Sequence, residues 1–84
     1  MNMAGKEKIP SNEEIDQLLK ELVDFQQNVL LKCGRRFIPH LTPEDLLQPN
    51  DYNELEFNPH FRYEEGVLAG IQTVQTALMA LKKK

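Results

Sequence analysis

Apolar residues in the first half of the chain recur with the period of an α-helix. Ile15, Leu18, Leu22, Phe25 and Val29 alternate at three and four residues, which places them on one stripe and predicts a helix over 12–33 that packs along it. Ser11, with Glu14 three residues on, can exchange side-chain-to-backbone hydrogen bonds in a capping box and so fixes the start. Gly34 predicts a left-handed stop, with Lys32, Arg35 and Arg36 placed at the negative end of the helix dipole. Leu19, Val23, Leu30, Leu31 and Cys33 widen the apolar arc beyond what one neighbouring helix covers. Leu19, Val23 and Leu30 are therefore candidate partner-binding residues.

A second helix is predicted over 59–82. Asn58 is a capping residue followed by Pro59 at the first helical position, and no proline interrupts the chain afterwards. Val67, Ile71, Val74, Leu78 and Leu81 form its seam, and Lys82, Lys83 and Lys84 suit the dipole at its end. The two helices come to about 33 and 36 Å at 1.5 Å per residue, lengths that match.

Between them, Pro39, Pro43 and Pro49 forbid a long helix across 35–58. Thr42-Pro43-Glu44-Asp45-Leu46-Leu47 nevertheless has a cap, a first-position proline and acids in its first turn, and predicts one short helix at 43–48. Leu46, Leu47, Leu55 and Phe57 are expected to fold this segment over one end of the helices. Residues 1–10 have little to bury and are read as a mobile arm, leaving 11–84 as a single helical domain.

Charge chooses the relative direction of the helices. The first begins with Glu13, Glu14 and Asp16 and ends with Lys32, Arg35 and Arg36; the second begins with Glu64 and Glu65 and ends in three lysines. Antiparallel pairing sets opposite signs together at both ends, which predicts an all-α antiparallel hairpin. With 84 residues the chain has room for one core, and domains this small are usually completed by a disulfide, a metal or a partner. Cys33 is the only cysteine, which excludes an internal disulfide and a cysteine-rich zinc site. A homodimer forming a four-helix bundle, or a helical protein partner, is the remaining expectation.

Ten basic and thirteen acidic residues give a net charge of −3, so no overall positive field draws the chain to nucleic acid or anionic lipid. No apolar run is long enough to span a bilayer, and the amino terminus does not look like a secretory signal, so the expected location is cytoplasmic and no membrane partner is expected. Local charge is more informative. Glu44, Asp45, Asp51, Glu54 and Glu56 lie in a stretch without lysine or arginine, and form either a solvated loop or an acidic lip for a basic partner.

Gly66, Gly70, Thr73, Ala77 and Ala80 continue at four- and three-residue spacings as a stripe of small residues. Glycine inside a helix costs about 1 kcal/mol relative to alanine, so close packing is expected to offset it. The occupant is either Phe25 or Phe37 of the same chain, or a second chain. Gly66, Gly70, Thr73 and Ala77 are accordingly candidate partner-binding residues.

Signals of catalysis are sparse. Cys33 stands among basic residues but at the negative end of a helix, without a base fixed nearby, which suits a structural thiol. Ser11 is accounted for as a cap, and no glycine-rich phosphate loop is present. His60 and Glu64 are one turn apart, and His40 and Cys33 are expected near the same end of the hairpin, so that the four could converge on a metal, although no pair has the spacing of a metal motif. The expected function is a non-enzymatic interaction module of adaptor, chaperone or regulatory-subunit type without cofactor or metal. The alternative is a small regulatory protein binding a metal or ligand through His40, His60, Glu64 and Cys33.

Overall fold

The computed structural model describes residues 9–83, so most of the predicted N-terminal arm lies outside the described residues. Helix α1 spans Asn12–Arg35, α2 Asn53–Glu56 and α3 Pro59–Lys82, and no strand occurs among the described residues. Both predicted starts form as expected. Glu14 N–H donates to Ser11 Oγ at 3.1 Å while Ser11 N–H donates to Glu14 Oε1 at 2.9 Å, and Phe61 N–H donates to Asn58 Oδ1 at 3.0 Å. Each bond satisfies a backbone donor that the first helical turn leaves free.

The long helices are antiparallel and pack against each other. Gln26 Nε2 donates to the Glu64 carbonyl at 3.1 Å and to Glu64 Oε1 at 2.7 Å, and Lys82 forms an ion pair with Asp16 at the far end. Two such contacts on one pair of helices require opposed directions. The hairpin measures 53 × 30 × 19 Å.

The side of α1 that meets α3 differs from the one that periodicity predicts. Leu19, Val23, Gln26, Leu30 and Cys33 are buried, whereas Leu18, Leu22 and Phe25 are 55, 42 and 67% exposed. The reason is Gln26, whose amide finds two acceptors on Glu64 and can therefore sit at the centre of the contact. Leu19, Val23 and Leu30, assigned from sequence to a partner, are instead buried within this chain.

The middle segment folds over one end as expected, through different side chains. Ile38, Leu41, Leu55 and Phe61 join Leu30 and Cys33 in the core cluster, with Leu46 and Tyr52 partly buried against it. Leu47 and Phe57 point into solvent. The single predicted short helix is replaced by two 3₁₀ turns, Pro43–Leu47 and Pro49–Asp51, followed by α2. A proline at the start of each 3₁₀ turn and the break at Gln48 keep both turns short.

Gly34 also differs from expectation. α1 continues through it and is capped at Arg36, which has right-handed backbone angles (φ −66°, ψ −25°). The glycine is required by space: a Cβ there would lie 2.5 Å from Leu41 Cδ2 and 3.3 Å from Phe61 Cε1. Arg35 Nε fastens the returning chain by donating to the Leu41 carbonyl at 2.8 Å.

Candidate interaction surface

The two predicted seams did not disappear when α1 turned. At about 100° per residue, Ile15, Leu18, Leu22, Phe25 and Val29 lie roughly a quarter turn from the residues of α1 that face α3. Val67, Ile71, Val74, Leu78 and Leu81 are displaced by a similar angle on α3, away from Phe61, Leu68 and Gln75. Because the helices run in opposite directions, both displacements lead to the same side of the hairpin. One side of the layer is thus an apolar surface shared by two helices. Leu18, Leu22, Phe25, Val74 and Leu81 stand exposed on it, with Ile15, Val29, Val67, Ile71 and Leu78 half-buried between them.

The opposite side is different in chemistry. Asp16, Lys20, Gln75, Met79, Lys82 and Lys83 border a shallow depression near the open end of the hairpin. Nearer the folded-over end, Leu31, Leu46, Leu47, Leu68, Gln27 and Gln72 help line a groove of about 550 Å³. Charged and amide groups border both depressions, whereas the apolar side has aliphatic and aromatic side chains along its length.

Gly66, Gly70, Thr73, Ala77 and Ala80 occupy the outer edge of α3, pointing away from α1, and all are exposed. A Cβ at Gly66 or Gly70 would meet no atom within 4 Å, so neither Phe25 nor Phe37 fills the stripe. That half of the sequence expectation is overturned, because Phe25 lies on a different helix face and Phe37 sits beyond the end of α1. Thr73 donates its hydroxyl to the Ala69 carbonyl at 2.8 Å and needs no further partner.

Of the acidic residues of the middle segment, Asp45 has a local task for its carboxylate. Asp45 accepts from Thr42 N–H at 2.9 Å and closes a capping box. This backbone hydrogen bond is the main reason its carboxyl titrates below the usual value, and Tyr52 is pushed up by desolvation and then by the Asp45 charge. Glu56 offers its carbonyl to Arg62 Nε at 2.7 Å, and Arg62 also pairs with Glu65 at 2.6 Å. Glu44, Asp51 and Glu54 are exposed.

Cys33 is sealed in the core cluster, His40 and His60 are exposed, and Glu64 is engaged by Gln26. Among the described residues, no three histidine, cysteine or acidic side chains come together in a group able to hold a metal ion. Nor, among those residues, is any helix long and apolar enough to cross a membrane. No protein-family model, curated protein or solved structure matches this chain.

Proposed function

We propose that this chain is a non-enzymatic protein–protein interaction module that acts as one layer of a larger helical assembly. The observation that carries this reading is the apolar side shared by α1 and α3, with Leu18, Leu22, Phe25, Val74 and Leu81 exposed on it. A stable domain packs two layers of secondary structure around a core, and this hairpin supplies only one layer over most of its length. Fully burying a side chain of this kind is worth about 1.5–3 kcal/mol, so closing the surface with a second helical layer is strongly favourable. A four-helix bundle is the simplest result, because the exposed stripes run the length of two nearly equal helices.

The chemistry elsewhere supports binding over catalysis. Cys33, the strongest nucleophile, is enclosed by Leu30, Leu41, Leu55 and Phe61, and the acidic balance favours a protein partner over nucleic acid. The reading fits a cytoplasmic adaptor, chaperone or regulatory subunit. It is tested with a Leu22→Asp/Phe25→Asp variant. Its far-UV circular dichroism should match wild type, while its binding to itself or to a helical partner captured by wild type should fall at least tenfold, since each charge would be buried without a counter-ion. Equal binding by both proteins would overturn the reading.

A further inference from the structure

The apolar side shared by the long helices stays open because the middle segment lies on the other side. Leu46 and Leu47 help line the groove there with Gln27 and Leu31, and the Glu56 carbonyl is held there by Arg62. What borders the apolar side differs between the two helices. On α1 its outer border carries Glu14 and Glu21 toward the open end, then Lys32 and Arg36 toward the folded-over end. Glu14 accepts the Ser11 N–H and Glu21 the Gln17 amide at 3.1 Å, both neutral donors, and among the described residues none of these four charges enters an ion pair. On α3 the outer border carries Tyr63, Gly70 and Ala77. The charges of α3 nearest the apolar side, Glu64 and Lys82, are already engaged by Gln26 and Asp16.

A two-fold axis that crosses both helices at mid-length matches this pattern. Each long helix has 24 residues, with its middle between Val23 and Asp24 on α1 and between Gly70 and Ile71 on α3. The Gln26–Glu64 contact lies on one side of both midpoints and the Asp16–Lys82 pair on the other, so the midpoints stand close to level. A second hairpin turned about that axis lays α1 antiparallel on α1 and α3 antiparallel on α3. Leu22 then comes level with Phe25 of the other copy, Leu18 with Val29, Val67 with Val74 and Tyr63 with Leu78, so these layers are apolar. Glu14 comes level with Lys32 of the other copy and within about one turn of Arg36, twice over by symmetry. An axis along the helices would instead lay α1 on α3 and set the four charges of α1 against a border without a counter-ion.

We infer that the occupant of the apolar side is a second copy of this chain, laid face to face about that axis, with α1 antiparallel on α1 and α3 antiparallel on α3. This rests on the interaction-module reading and specifies its partner and arrangement, and it covers Leu22 and Phe25, on which that reading depends. Two-fold association requires a patch complementary to itself, and the acid-then-base order along one border meets that requirement. Area agrees. The face runs about 36 Å along the helices and about 20 Å across a pair of them. Each copy therefore brings roughly 700 Å² to the contact, close to the ~800 Å² per partner of a stable interface.

The test uses the full chain with buried Cys33 left in place. Leu18→Cys and Val29→Cys proteins are oxidised mildly, each alone and mixed. The mixture should form an interchain disulfide roughly tenfold faster than either alone, because unlike positions come level while like positions stand about 16 Å apart along the contact. Lys32→Glu provides an independent arm, on an exposed side chain at the border of the contact. It should keep the helical spectrum and raise the dimer dissociation constant roughly fivefold at low salt, with a smaller effect at high salt. Single variants that cross-link as fast as the mixture, faster linking of Leu18→Cys to Leu78→Cys, or an undiminished Lys32→Glu dimer would overturn the inferred arrangement. A wild-type monomer that still captures a helical partner through Leu22 and Phe25 would overturn the second-copy inference and leave the module reading intact. A monomer that captures nothing would overturn both.

Discussion

The two ends of the hairpin are built to different standards. Where α1 turns toward α3, Leu41, Leu55 and Phe61 are fully buried, Gly34 lets the chain pass at close range, and Arg35 and Arg62 tie the carbonyls of Leu41 and Glu56 to the long helices. Toward Ser11 and Lys83, only Leu19 and Val23 approach burial, and an exposed ion pair between Asp16 and Lys82 joins the helix ends. Surface ion pairs contribute little, about 0–1 kcal/mol, so the second end holds together less strongly. In the proposed function the difference separates two jobs: the folded-over end makes the hairpin stable as one chain, and the open half would present the apolar surface to a partner.

Substitutions should reveal this division in order of size. Phe61→Ala removes the largest fully buried side chain and should cost about 3–5 kcal/mol in urea unfolding, enough to unfold much of the population. Gly34→Ala pushes a methyl against Leu41 and should cost about 1–3 kcal/mol by the same assay, despite alanine's better helix propensity. Ser11→Ala, at the open end, should cost about 1 kcal/mol through the lost cap, and hydrogen exchange should show the loss confined to the first turns of α1. A global loss from this last change would erase the distinction between the ends.

Acidification gives the smallest effect. The Asp45 carboxyl is held below its ordinary value of 3.8, so its contribution is present above that value and disappears as pH falls through the lower folded-state value. Asp45→Asn should therefore lower stability slightly near neutrality and flatten the profile below about pH 4, where variant and wild type converge.

Helix positions, N-terminal caps and direction were legible because each depends on residues close in sequence or on the sign of charge at an end. The inward side of α1 was not. That helix carries two apolar stripes a fraction of a turn apart, and the one containing polar Gln26 looks like the weaker candidate. Only the acceptors on Glu64, a residue 38 positions away, make Gln26 the better centre. In the middle segment, Leu41 and Leu55 are buried while Leu47, in the first 3₁₀ turn, and Phe57, at the end of α2, are exposed, a choice that hydrophobic pattern alone does not encode. The small-residue stripe was visible in sequence, but its outward direction follows from which edge of α3 meets α1.

The central claim, that the apolar side of the open half is an interface, is tested most directly by solution mass across a dilution series, measured by light scattering. Wild type should approach twice 9.7 kDa at high concentration and fall toward 9.7 kDa on dilution, with a thermal midpoint that rises with concentration. The Leu22→Asp/Phe25→Asp variant should remain near 9.7 kDa throughout with its helical content unchanged. A wild-type mass of 9.7 kDa at every concentration, with a midpoint independent of concentration and no helical partner captured through Leu22 and Phe25, would contradict the account.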